Sequence, residues 1–217
     1  MTGLIYKDFF VMRKAVSSYL IVLVIYGVLA YLDFFDFSFI ISFLQVMLMV
    51  LPMSAFAYDD QAKWDRYAMS LPLGQRAVVG ARYLFVLSLA LITTASGAAG
   101  SIILWKVHQS DILELTLTLL TASALGLLVS AILLPLNYKL GVERARPYLY
   151  AIIFIPVIVL FLAFRMGVRI DTSWLDSLLL SSPGALLALS ALPLLAALAL
   201  MFVSYLISCR VTANKEY

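Results

Sequence analysis

Five charged side chains, Asp59, Asp60, Lys63, Asp65 and Arg66, crowd into the fifteen residues YDDQAKWDRYAMSLP (58–72), interleaved with Tyr58, Trp64 and Tyr67. The rest of the chain offers them little catalytic company. His108 is the only histidine and has no second His or Cys near it to hold a metal. Ser54, Ser70 and Ser130 have no base at a spacing that would activate a hydroxyl. No Gly-x-x-x-x-Gly-Lys-Ser/Thr run is present, and no lysine is followed by Ser or Thr, so a phosphate-cradling loop is not expected. Neither catalytic nor metal-ligating residues are assigned. Aromatic and charged groups on one short helix suit a protein interface; a helix that merely connects two spans is the other reading.

Composition decides what must position that segment. The chain is 64% hydrophobic and only 12% charged, with a mean hydropathy of +1.04, well outside the soluble range of roughly a quarter charged. A bilayer core needs about 20 apolar residues per helix. Uncharged runs of that order fall at 15–32, 37–58, 83–105, 115–138, 147–164 and 184–209. The expected fold is therefore an all-α polytopic membrane protein of six spans, one transmembrane domain over 1–217. The first run follows Lys7, Arg13 and Lys14 as a signal peptide would, but lacks a small-x-small cleavage site and is read as a retained span.

Cations orient the spans. With both termini cytoplasmic, the inner segments hold Lys7, Arg13, Lys14, Lys63, Arg66, Arg76, Arg82, Lys139, Arg144, Arg146, Arg210 and Lys215, leaving Lys106, Arg165 and Arg169 outside. The basic pI thus reports topology, and no nucleic-acid partner is expected. By these boundaries no span contains an ionisable side chain, which counts against an ion-coupled transporter or an intramembrane hydrolase. Energy for uphill movement would come from a partner or an ion gradient, and the absence of charge in the spans favours a partner.

Finer features follow from spacing. Ile5, Phe9 and Met12 recur at helical intervals with Lys7, Asp8, Arg13 and Lys14 on the other side, predicting an amphipathic interfacial helix joined to the first span by an elbow. A frayed basic tail is the alternative. Within 58–72, Asp59 and Asp60 are expected to open a helix, where its dipole favours carboxylates, with an Asp59–Lys63 pair. Trp64, Tyr67, Ala68 and Leu71 would share one face, and Pro72 and Gly74 would stop it. The run SSPG (181–184) is a turn signal, so a short outer helix at about 174–180 with Trp174 as anchor is expected before the last span. A long tilted sixth span is the alternative. Pro52, Pro135, Pro156 and Pro193 lie inside spans, and VLPMSAFAYDDQAKWDR beside LLPLNYKLGVERARP gives spans two and four a faint likeness. Thr93, Gly97 and Ser101, with Ser96 and Gly100, form small-residue faces for close packing, within or between subunits. Cys209, the only cysteine, reads as a small apolar residue.

Three stretches together carry a resemblance: LIYKDFFVMRK (4–14), FAYDDQAKWDRYAMSLPLGQRAVVGARYL (56–84) and GVERARPYLYAIIFIP (141–156). The chain resembles the small six-span permease subunits of bacterial ABC type-2 transporters over essentially its whole length. It is most similar to the branch that includes exporters of amphipathic peptides such as phenol-soluble modulins. The resemblance implies a bacterial plasma-membrane protein, two paired permeases, identical or paralogous, and two cytoplasmic ATPase subunits that carry ATP and Mg. It makes 58–70 a coupling helix, with Tyr58, Asp59, Asp60, Lys63, Trp64, Asp65, Arg66 and Tyr67 facing the ATPase. Glu143, Arg144 and Arg146 become a second contact, and the 174–183 region a re-entrant outer helix. Phe43, Met47 and Phe56 on span two would suit an amphipathic peptide or lipid-like substrate. The alternatives are a resistance or immunity permease expelling membrane-active antibiotics, and a membrane scaffold without a transport cycle.

Overall fold

The computed structural model describes residues 2–32, 37–64, 67–68, 74–108, 111–167 and 183–214. Among them there are six long helices and no strand: α1 (Thr2–Tyr31), α2 (Phe37–Gln61), α3 (Gln75–His108), α4 (Ile112–Leu140), α5 (Val142–Arg165) and α6 (Pro183–Ala213). Each is long and apolar enough to cross a membrane. Most outrun the uncharged windows because a helix does not stop where the hydrocarbon does. The stretch from Gln75 to Arg82, which carries Gln75, Arg76 and Arg82, continues the backbone hydrogen bonding of α3 beyond the uncharged window. The end where α1 begins and α6 finishes is called the base below.

α4 is the central helix, packed most extensively on α6 and also against α2, α3 and α5. α1 lies against α2 and α3, while α5 sits outside, with Phe154, Val157, Phe161 and Phe164 exposed. In a bilayer apolar burial gains little, so close approach and hydrogen bonds must hold such a bundle together. Both are visible. A Cβ on Gly126 would meet Leu48 Cδ1 at 3.1 Å and the Gln45 carbonyl oxygen at 3.2 Å, so glycine lets α4 approach α2. Thr93, Gly97 and Ser101 are buried, and a Cβ on Gly97 would strike Leu119 Cδ1 at 2.5 Å. That face therefore packs within the subunit, against α4.

The two Leu-Pro sites of α2 and α4 turn out to be the same device. Pro52 lacks the N–H that would bond the carbonyl of Leu48, four residues earlier, and the Ser130 hydroxyl of α4 donates to that oxygen at 2.7 Å. Pro135 likewise frees the carbonyl of Ala131, and Ser204 of α6 donates to it at 2.6 Å. Each proline thus exposes an acceptor that a neighbouring helix must satisfy, and α2, α4 and α6 are tied in series. Because the Ser204 proton goes to Ala131, the Tyr83 hydroxyl, 2.6 Å away, donates to Ser204. Tyr83 then accepts from Ser208 at 2.7 Å.

The expected elbow is absent: α1 runs unbroken from Thr2. Asp8 and Met12 are four residues apart and therefore on one face. Both are buried, and Phe9 packs edge-on to Phe85 of α3 at 5.0 Å. The start of α1 packs on α2 and α3, with Phe9 and Met12 of its apolar stripe turned into the protein interior. The short outer helix expected near Trp174 lies outside the described residues. α6 starts at Pro183, close to where the SSPG turn places the last span.

Candidate functional site

Asp59 and Asp60 do not open a helix; they end one. α2 continues through Gln61, and the chain leaves it by a turn in which Lys63 adopts φ 50° and its N–H bonds the Asp60 carbonyl at 3.1 Å. Carboxylates at a helix C-terminus face the wrong end of the dipole, so Asp59 needs compensation. Lys63 does not supply it. Lys7 Nζ of α1 lies 2.7 Å from Asp59 Oδ1, and the Arg82 guanidinium of α3 bonds Asp59 Oδ2. Asp8 completes the group: its Oδ1 is 3.1 Å from Lys7 Nζ and its Oδ2 is 2.9 Å from Arg82 Nη1. Two cations and two carboxylates thus close a neutral ring joining α1, α2 and α3. Asp8, Asp59 and Arg82 are only 4%, 7% and 6% exposed.

Aromatic rings line this ring of charges. Lys7 Nζ stands 4.2 Å from the Trp64 ring centroid, and Arg82 Cζ stands 4.7 Å from that of Phe56. Phe56 meets Tyr138 of α4 edge-on at 5.0 Å. A desolvated cation over an aromatic face gains about 2 kcal/mol. Trp64, three residues past the end of α2, is therefore anchored to α1 through the same ammonium that holds Asp59. Trp64 in turn packs on Tyr67 at 5.1 Å, and Tyr67 is 58% exposed at the base. Asp65 and Arg66 lie outside the described residues.

The remaining expected site residues divide. Tyr58, one step of about 100° round the helix from Asp59, turns the other way and is 42% exposed. It shares with Arg146 and Tyr150 a groove of about 370 Å3 between α1, α2 and α5. The two segments singled out in the sequence therefore meet at the base. Glu143, Arg144 and Arg146 were expected in a loop; they stand on the first turns of α5, exposed, because Gly141 (φ 78°) alone separates α4 from α5. Of the side chains expected along a substrate path, Phe43 is half-buried with its ring 5.1 Å from Tyr26, and Met47 and Phe56 are packed in the core. Among the described residues no three His, Cys, Asp or Glu side chains converge as a metal site.

Sequence reasoning placed Lys7, Asp8 and Arg82 on solvated inner segments and so missed the ring. A signal existed: Asp8 is spaced i,i+4 from Met12, and Arg82 is i+3 from Val79 and i−4 from Val86, both fully buried.

A bundle of six helices long and apolar enough to span a membrane, with a charged, aromatic-rimmed base, has the build of a transporter's membrane subunit. The family model described as "ABC-2 family transporter protein" matches residues 3–212, and the chain belongs to that family. No curated protein and no solved structure matches the chain. It is a multi-pass membrane permease subunit of an ABC transporter.

Proposed function

We propose that the chain is the translocation subunit of an ATP-driven exporter in the bacterial plasma membrane, with the base facing the cytoplasm and a separate ATPase docking on the segment 58–72. The observation that carries this reading is the charge ring. It fastens Trp64 to α1, α2 and α3 together, so a push on the docking segment moves three spans as one body. Tyr67 and the exposed Glu143, Arg144 and Arg146 supply the surface, and Lys7, Asp8, Asp59 and Arg82 supply the rigid link. The positive-inside distribution supports the orientation. The substrate class, amphipathic or hydrophobic molecules and peptides first, rests on the resemblance of the 56–84 stretch to peptide-exporting permeases. Two permeases and two ATPases form the working unit on the same ground.

The test separates docking from transmission. Co-purification of the cognate ATPase should fall about tenfold for Tyr67→Ala, as for an aromatic anchor at an interface. Asp65→Lys should weaken it too. Export from vesicles of a labelled amphipathic helical peptide should require ATP and both subunits. Undiminished ATPase capture by both variants would remove 58–72 from the interface.

A further inference from the structure

Two cavities on the far side of α3 adjoin at Tyr205. The lower, about 400 Å3, opens at the base between the start of α3 and the end of α6, and holds Gln75, Arg76, Cys209 and Arg210. The upper, about 370 Å3, continues between the same two helices at membrane depth, walled by Leu84, Leu198 and Phe202. Tyr205 lines both, its ring edge-on to Tyr83 at 5.5 Å. The result is one groove with a cationic mouth and an apolar shaft.

Arg76 and Arg210 are both exposed, and among the described residues neither has an acidic partner. Among the described residues no Asp or Glu lines either cavity. The mouth therefore offers two guanidinium forks, geometrically suited to phosphate oxygens, with the Gln75 amide beside them. The shaft above can accept only hydrocarbon. A soluble anion would use the mouth and leave the shaft unfilled. An uncharged lipid would fill the shaft and leave both cations without a counter-charge. One molecule meets both demands at the right depth in the bilayer.

We propose that the α3–α6 groove is a binding site for an anionic glycerophospholipid, its headgroup phosphate held between Arg76 and Arg210 and one acyl chain laid along Leu84, Leu198 and Phe202. Basic pockets between spans at the cytoplasmic face are a recognised setting for such headgroups. Nothing in this site takes part in the charge ring on the other side of α3, so the proposal is independent of the docking reading.

The experiment is native mass spectrometry of the full-length protein released from detergent, with phosphatidylglycerol or phosphatidylcholine of the same acyl chains added. Phosphatidylglycerol should be retained in preference to phosphatidylcholine. Arg76→Gln combined with Arg210→Gln should weaken its retention on the order of tenfold or more, at about a factor of five per cation near the membrane surface. Leu198→Trp, which fills the shaft and keeps both charges, should also reduce it. Equal retention of the two lipids by the wild-type protein overturns the proposal without any variant. So does full retention by the double variant. Glycerol 3-phosphate competing as well as the lipid would make the occupant a soluble anion. A Cys209 crosslink between chains under oxidant would put a second copy in the groove, and either result would also overturn it.

Discussion

Arg82 and Arg76 stand on the same helix less than two turns apart, yet one is buried against two carboxylates and the other is exposed with none among the described residues. The difference follows from register. Arg82 lies on the stripe of Val79 and Val86, which faces α1 and α2. Arg76 leads the stripe of Gly80, Leu84 and Leu87, three residues that line the groove against α6. Where α3 meets α1 and α2, the chain provides its own counter-charges, and the corner is closed and neutral. Where α3 meets α6 none of the described residues provides one, and it is the proposed lipid that would complete the corner. The first arrangement suits transmission of force, the second reversible binding.

The sharpest way to break this contrast is to neutralise each arginine in turn. Arg82→Met leaves Asp8 and Asp59 buried with only Lys7 between them, and should cost about 3–5 kcal/mol, read from the unfolding midpoint in detergent. Arg76→Gln should stay within about 0.5 kcal/mol. If the two variants unfold alike, the corners do not differ as described. Charge reversal across the closed corner, Asp59→Arg with Arg82→Asp, should recover part of what either change alone loses.

A second comparison lies within the spans, where neutral hydrogen bonds replace ions. Ser130→Ala or Ser204→Ala should each cost about 0.6–1.7 kcal/mol, less than losing a buried charge. Pairing Ser130→Ala with Pro52→Ala should restore stability, because the new backbone N–H then bonds the Leu48 carbonyl. No recovery in that double variant would mean that Ser130 acts through something other than the proline. Smallest of all, raising salt should weaken lipid retention at the open corner, whose exposed charges are screened within about 10 Å at 0.1 M. The unfolding midpoint set by the closed corner should hardly move.

Hydropathy made the six spans legible, and the Leu-Pro likeness of spans two and four was visible, although not the interhelical tie each proline makes. Three things were not legible. Helix ends past the hydrocarbon leave no apolar signal, so α2 was stopped at Tyr58 and Asp59 was assigned to the start of a new helix. Asp8 and Arg82 were sorted by charge instead of by face, although their spacing to Met12, Val79 and Val86 marked them as inward. The partners of Asp59 lie 52 residues back and 23 ahead in the chain, and no local pattern announces contacts of that range. Tyr58, Tyr67 and Arg146 stand out in the sequence as aromatic and basic residues beside a helix end in an apolar chain, and they lie exposed at the base.

The account rests most on the claim that Lys7 passes motion from the docking segment to the spans. The direct measurement is stimulation of the partner ATPase, per ATPase bound, by Lys7→Met permease reconstituted in vesicles. Capture of the ATPase should remain within about twofold of wild type while stimulation falls about tenfold, the range over which residues that couple two sites act. Unchanged stimulation per bound ATPase would contradict it.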